Sequence, residues 1–287
     1  MMHIMKHGFL LINKPIGPTS HDMVHAMRNV LHERSIGHIG TLDPAASGLL
    51  VLAVGKKALK VIEFYSGLQK QYEASITLGK ISSTYDQEGS IEDIPQKPGW
   101  TLPTIDVIHN VIASRFEGSI EQIPPVYSAI HVNGQRAYHY ARSGASLAIP
   151  ARTITIKECR ILSYDYPHLR LAVTCSSGTY IRSLAHDLGQ VLRSGGYLSG
   201  LNRTKVGEWS LENAQETNQV TWAHVTPLKS ILTHLPSLEL SEKEAEDIKH
   251  GRTIPHPIST DTIAWFDGYP IAILTPKGND AHPRKVL

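Results

Sequence analysis

Apolar residues recur along this chain with two periods, and the switches between them mark its elements. Over positions 19–34, Met23, Met27, Val30 and Leu31 fall on one helical face, and His25, Arg28, His32 and Arg34 form a basic outer side. Thr19-Ser20-His21-Asp22 supplies the start, a capping box with Asp in the usual Glu place. Leu49-Leu50-Val51-Leu52-Ala53-Val54 is a continuous apolar run, as in a strand buried on both faces. Positions 57–68 read as a second helix with Leu59, Ile62 and Phe64 inward. Tyr72, Ala74, Ile76 and Leu78 then alternate with polar neighbours and share one strand face. Ile105, Ile108, Val111, Ile112 and Phe116 return to helical spacing. Gln122-Ile123-Pro124-Pro125 must be extended, because each proline pushes its predecessor out of the helical region. Strands are expected over 127–132, turning at Asn133-Gly134, and over 153–156 and 169–175. Positions 179–192 read as a helix with Ile181, Leu184, Ala185 and Leu188 inward.

The character changes near Pro236. Ser241-Glu242-Lys243-Glu244 is a capping box, Gly251 a helix stop, and Asp267-Gly268 a hairpin turn between two apolar runs. Two units are therefore expected, 1–235 and a small, mostly β module over 236–287. Strands and helices follow in irregular order, which argues for an α+β sheet protein rather than a regular βαβ winding.

With 287 residues, 41% hydrophobic and 19% charged, the chain has the composition of an ordinary globular protein. Phe9-Leu10-Leu11-Ile12 is too short for a signal peptide core or a membrane span. Cys159 and Cys175 lack CxxC spacing and read as buried thiols of a reducing cytoplasm. A net charge of +2 advertises no global attraction to nucleic acid, but a local basic cleft would suffice for phosphate contacts.

Candidate chemistry centres on Gly37-His38-Ile39-Gly40-Thr41-Leu42-Asp43-Pro44-Ala45-Ala46-Ser47-Gly48. Three glycines and a proline constrain this loop around one carboxylate. Two readings fit: a tight turn with Asp43 bonding its own backbone, or an acid placed for use. No Gly-Lys-Ser/Thr closes the run, which disfavours a phosphate-cradling loop. Arg182 falls off the apolar stripe of its helix, in the first turn, where it is either a surface arginine or projects into a cleft. Tyr72 is a core aromatic unless a cleft begins there, and Tyr180 is equally consistent with packing. His21 and His25 share a helix face at metal-binding spacing. Asp22, however, is shorter than the Glu of the zinc-protease pattern, and no third ligand follows at a suitable distance.

Several segments together resemble the TruB family of tRNA pseudouridine synthases. Asn13-Lys14-Pro15-x-Gly17-x-Thr19-Ser20 is similar to its first motif and Gly37-His38-x-Gly40-Thr41-Leu42-Asp43-Pro44 to its catalytic motif. Lys70-x-Tyr72 with Leu78-Gly79, Asp86 and Gly89 resembles the third, and Gln122-x-Pro124-Pro125-x-Tyr127-Ser128-Ala129 the next. Cys175-Ser176-x-Gly178-Thr179-Tyr180-Ile181-Arg182, running on to Asp187-Leu188-Gly189, and Leu201-x-Arg203-Thr204-x-x-Gly207 complete the set. The resemblance covers about residues 8–211.

It implies the pseudouridine synthase fold: a large mixed, mainly antiparallel sheet flanked by helices and loops. A small PUA-like RNA-binding module would follow over 236–287. Asp43 would be the essential carboxylate acting on a flipped-out uridine at position 55, in the T-arm of tRNA. Tyr72 would stack on the base, Arg182 would pair with Asp43, Tyr180 and Leu201 would line the pocket, and His38 would belong to an RNA-facing loop. Isomerising uridine needs no redox change or group donor, so no cofactor and no metal are implied. The guide-RNA-dependent relatives carry longer basic extensions that this chain lacks, so it is expected to act alone, as a monomer, without a protein partner. The competing reading is a non-catalytic tRNA-binding or folding protein on the same scaffold.

Some positions depart from the family. The loop over 81–86 lacks the Thr-Asp-Thr run, His131 and Ser177 stand where lysine is usual, and Asn13 replaces a frequent aspartate. Two cations fewer near the cleft would weaken RNA binding or make it pH-sensitive at His131.

Overall fold

The computed structural model describes residues 7–95, 98–127 and 149–287, together with the backbone of 131–132 and 135–136. In chain order the first strands are β1 (Gly8–Lys14), β2 (Ile36–Ile39), β3 (Ala46–Val54) and β4 (Lys70–Leu78). A short hairpin follows, β5 (Lys80–Ser82) with β6 (Ile91–Asp93), then β7 (Gly118–Gln122). β8 (His131–Val132) pairs with β9 (Gln135–Arg136). Of the strand expected over 127–132, Tyr127 lies outside any strand and positions 131–132 form β8. Ser128, Ala129, the Asn133-Gly134 turn and the His131 side chain lie outside the described residues. β10 (Arg152–Asp165), β11 (His168–Cys175), β12 (Gly196–Val206), β13 (Trp209–Ser210) and β14 (Thr226–Pro227) complete a ten-stranded sheet. Its main order is β14-β1-β3-β12-β4-β11-β10-β7, and all pairs are antiparallel except β3 with β12.

Strand parity explains how this sheet divides its apolar residues. Leu10, Ile12, Leu50, Leu52 and Val54 point to one face, where the Ser20–Leu31, Ile105–Arg115 and Ile181–Val191 helices cover the larger core. Phe9, Leu49, Val51 and Ala53 point to the other face and enter a second cluster. β3 is thus buried on both sides, as its unbroken apolar run requires. Tyr72, Ala74, Ile76 and Leu78 all face the larger core. The Ser20–Leu31 helix opens with the expected capping box, a device worth about 1 kcal/mol. Its buried stripe runs through Ser20, Met23, Val24, Met27 and Leu31, whereas Val30 lies at the margin and is exposed. The expected 57–68 helix is two short pieces, Lys56–Val61 and Glu63–Ser66; Ala58, Val61 and Tyr65 are fully buried, and Leu59, Ile62 and Phe64 pack half-buried against the same cluster. Gly118–Gln122 and Gly196–Val206, to which the apolar pattern assigns no element apart from the extended Gln122, are strands.

A second, four-stranded sheet has the order β15 (Ser237–Glu239), β16 (Thr262–Phe266), β17 (Tyr269–Lys277), β18 (Asp280–Val286). Ser241 caps its Glu242–Lys249 helix as expected. Ala264, Ala272 and Leu274 face that helix in a small core of their own, while Ile263 and Ile273 have the opposite parity and pack into the second cluster with Phe9 and Val51. Glu63 ties the two parts further by accepting from Arg284 and Lys285.

The parallel contact of β3 with β12 depends on one residue. Gly48 has φ +105°, and a Cβ there would lie 2.4 Å from both the Arg203 carbonyl oxygen and Asn202 Oδ1. Neither the backbone angle nor the space admits a side chain. Gly48→Ala is expected to lower stability by about 3 kcal/mol, from strain and overpacking together. Urea unfolding midpoints would register this, and a loss under about 1 kcal/mol would show that the strands separate without penalty.

Candidate active site

The segment carrying Asp43 is short, Gly40 to Ala45, because His38 and Ile39 belong to β2 and Ala46 begins β3. It is fastened on each side through its backbone. Ser20 Oγ donates to the Leu42 carbonyl at 2.9 Å and accepts from the Leu42 N–H at 2.8 Å. Ala46 N–H donates to the Asp43 carbonyl at 3.0 Å. Lys14, fully buried at the end of β1, donates to the carbonyls of Pro15 and Pro18 at 2.8 Å and of Pro44 at 3.4 Å. Arg203, 1% exposed on β12, donates to the carbonyls of Leu49 (2.8 Å), Gly40 (3.1 Å) and Thr41 (3.3 Å). Its guanidinium also reaches the Tyr72 hydroxyl. None of these bonds uses the Asp43 carboxylate.

That carboxylate meets Arg182 instead. Arg182 Nε lies 3.1 Å from Asp43 Oδ2, and Nη1 lies 3.2 Å from Asp86 Oδ2. Nη2 donates to the Tyr127 carbonyl at 2.9 Å. The guanidinium and Asp86 side chains are 8% and 5% exposed, whereas that of Asp43 is 42% exposed. Asp43 is therefore the member of the chain open to a substrate. Asp86 is held from behind by the Thr84 hydroxyl at 2.5 Å and the Glu88 N–H at 3.0 Å.

The start of the Arg182 helix is clamped by the extended Gln122-Pro125 segment. Gln122 accepts from Tyr180 N–H at 2.8 Å and donates to the Tyr180 carbonyl at 3.0 Å, and Ser183 Oγ donates to the Ile123 carbonyl at 2.7 Å. Pro124 and Pro125 keep their predecessors extended, which leaves the Ile123 carbonyl free to accept from Ser183.

Asp43, Tyr72, Tyr180, Arg182 and Leu201 all line one cleft of about 440 Å³. Tyr127, Lys70, Arg203 and Ser177 share its wall. His38 does not: it pairs with Leu52 across β2 and β3, half-buried, and its pKa is lowered by burial and the nearby Arg203. Burial raises the Tyr72 pKa and lowers that of Arg203. The Lys70 ammonium, 6% exposed, is pushed down to about 8 by burial and by Arg203. Lys14, Lys70, Asp86 and Arg203 stood in the quoted motifs without a role. Lys14, Lys70 and Arg203 lie on β1, β4 and β12 and Asp86 lies between β5 and β6, and no local pattern in the sequence marks any of them as buried.

The arrangement presents a partly exposed carboxylate to the cleft, paired with a buried cation and sharing the cleft wall with aromatic rings. Such a carboxylate serves as nucleophile or base. Asp22 is occupied by the helix cap, accepting from Thr19 N–H and Oγ1–H, and His21 and His25 are exposed. Among the described residues no three His, Cys, Asp or Glu side chains are grouped to hold a metal ion, and no helix is long and apolar enough to cross a membrane.

Comparison with known proteins finds relatives over most of the chain. tRNA pseudouridine synthase B of Synechococcus sp. (strain CC9311) is 43% identical over 260 residues, covering 87% of this chain and 86% of that protein. The protein of the same name from Streptococcus agalactiae is 39% identical over 296 residues, covering 98% and 99%. That of Bacillus subtilis (strain 168) is 37% identical over 303 residues, covering 98% and 95%. In fold, the chain matches a protein of the solved "Structure of H/ACA RNP bound to a substrate RNA containing 2'-deoxyuridine", with TM-score 0.70, 22% identity and coverage of 99% and 86%. The model "TruB family pseudouridylate synthase (N terminal domain)" matches residues 28–181, a span holding Asp43, Tyr72 and Asp86. The chain belongs to the TruB family of pseudouridylate synthases.

Proposed function

We propose that this protein isomerises the uridine at position 55, in the T-arm of tRNA, to pseudouridine, acting alone and without guide RNA. The observation that carries the reading is the open Asp43 carboxylate held by buried Arg182 in a cleft walled by Tyr72, Tyr180 and Leu201. The relatives named tRNA pseudouridine synthase B, matched over nearly their whole length, support tRNA as the substrate.

In this reading Asp43 is the catalytic group. The target uridine leaves its stack, and Tyr72 offsets the unstacking cost by stacking on the ring. Arg182 pairs with Asp43 and holds its carboxylate in place, and Tyr180 and Leu201 bound the ring's edge. His38, away from the cleft wall, contacts RNA from the neighbouring strand. Residues 1–235 form the catalytic unit and 236–287 a PUA-like module whose packing on the β1–β3 face presents it as a fixed extension. The protein works as a monomer in the cytoplasm; two free, buried thiols fit a reducing compartment.

The test is incubation of purified protein with unmodified tRNA carrying tritium at uracil C5, without added metal or nucleotide. Tritium release confined to the T-arm uridine is the expected result. Binding without release would favour a tRNA-folding role on the same scaffold.

A further inference from the structure

Four cations are buried around the Asp43 loop: Lys14, Lys70, Arg182 and Arg203, exposed by 0, 6, 7 and 1%. Asp43 and Asp86 lie among them, and Arg182 pairs with both. Among the described residues the other three make no direct ion pair, though Asp43 acts on Lys14 from a distance, and they donate mainly to backbone carbonyls. Burying an ammonium or guanidinium without an acid is costly, so each needs a reason. For Lys14 and Arg203 the reason is structural, since each joins segments about thirty or more residues apart. Lys70 joins nothing distant. Its Nζ donates to the carbonyls of Leu68 at 2.6 Å and Ser66 at 3.2 Å, two and four residues before it. An ammonium has three donors, and the third has no acceptor among the described residues. Packing alone would be served as well by an apolar side chain.

Lys70 nonetheless lines the cleft with Asp43, Tyr72 and Arg203. We propose that Lys70, backed by Arg203, is a positive floor that takes up the negative charge of the uracil ring as its bond to the sugar breaks. This rests on the pseudouridylation reading. Breaking the C1′–N1 bond leaves its electron pair on the ring, spread over N1, O2 and O4, whichever way the carboxylate acts first. Re-forming the bond from C5 to C1′ then requires the C5 proton to leave and N1 to take one up, with no net change in protons. Negative charge is thus transient and confined to the ring. A preorganised cation in a water-poor site stabilises it far better than solvent does.

Lys70 is also the floor's titratable member. Arg203 on β12 and Cys175 on β11 face it, Tyr72 lies on its own strand, Asp43 across the cleft, and the Glu63–Ser66 helix offers it only a carbonyl. Burial weakens its hold on the proton, to a pKa of about 8. Rising pH therefore empties the floor of one charge, and the rate of isomerisation falls with it.

Single-turnover tritium release from a T-arm stem–loop, measured from pH 6 to 10 with RNA affinity in parallel, tests this. Lys70→Met is expected to slow release about 10²-fold at neutral pH, with RNA affinity changed less than about threefold and the alkaline fall in rate gone. Lys70→Arg, whose charge does not titrate here, is expected to restore most of the rate and hold it above pH 9. A folded Lys70→Met protein within about twofold of the wild-type rate overturns the inference. So does a Lys70→Arg protein that keeps the wild-type alkaline fall, or a loss of rate matched by an equal loss of RNA affinity. Wild-type protein that binds the RNA and releases no tritium overturns the pseudouridylation reading as well.

Discussion

Asp43→Asn is expected to reduce tritium release from the T-arm uridine by at least about 10³-fold while RNA affinity stays within about threefold. The asparagine has nearly the same shape, and its oxygen still accepts from Arg182 Nε, which lies 3.1 Å from Oδ2 in the native protein. What disappears is the charge, and with it the capacity to attack carbon or accept a proton. The backbone around the site does not depend on that charge. Leu42 is held by Ser20, Pro44 by Lys14, and Gly40 and Thr41 by Arg203. The variant is therefore expected to fold with the loop in place, and its unfolding midpoint serves as the control. A folded Asp43→Asn protein that loses affinity as fully as activity would move Asp43 from chemistry to binding.

How much of this was legible beforehand depends on whether local pattern and tertiary demand agree. They agree in the Ser20–Leu31 helix, where cap and apolar stripe coincide, in β3 and β4, and in the Asp267-Gly268 hairpin. They disagree in β12. Gly196, Ser199, Gly200 and Asn202 are poor strand residues, yet this strand lies between β3 and β4 at the centre of the sheet. Neighbouring strands impose its conformation, and its pairing breaks register near Gly200 and again near Thr204. The glycine that admits it, Gly48, is 154 positions from its contact Asn202, a relation no local window contains. Positions 57–68 are a mixed case: Leu59, Ile62 and Phe64 do pack against the second cluster, but the helix breaks at Ile62 and Ala58, Val61 and Tyr65 are buried more deeply.

The site divides in the same way. Asp43 stands out because its loop is constrained locally, and the cleft gathers Tyr72, Tyr180, Arg182 and Leu201 around it from three other stretches of chain. Arg182 was open to a surface reading because it falls outside the apolar stripe. It is buried because the Gln122-Pro125 segment and the Thr84–Glu88 turn close over that side of the helix. Lys14, Lys70 and Arg203 stand in the quoted motifs with no role of their own. Arg203 finds its carbonyl acceptors more than 150 residues away and Lys14 one of its three 30 residues away, whereas Lys70 uses carbonyls two and four residues before it, and no local pattern signals the burial of any of them. His38 reads as a loop residue beside glycines, yet the pairing of β2 with β3 carries it away from the cleft wall.

Arg182→Met is expected to destabilise the fold by about 4 kcal/mol, because it strands a buried carboxylate. Asp86 accounts for most of this, since Asp43 is 42% exposed and water replaces much of its lost partner. If that is the origin, removing the stranded charge relieves it. The double variant Asp86→Asn with Arg182→Met is expected to recover roughly 2 kcal/mol over Arg182→Met alone. Asp86→Asn by itself costs less, because Arg182 keeps Asp43 and the Tyr127 carbonyl. Activity is expected to behave otherwise. Asp43 lacks its cation in both the single and the double variant, so both fall at least about 10²-fold in tritium release, and the regained stability brings no regained rate. Urea unfolding and single-turnover release on the four proteins separate the two contributions. A double variant as unstable as Arg182→Met would place the cost in lost packing of the guanidinium rather than in Asp86. A double variant that recovers rate along with stability would reduce Arg182 to a structural counter-ion, with Asp43 able to work without a cation at its side.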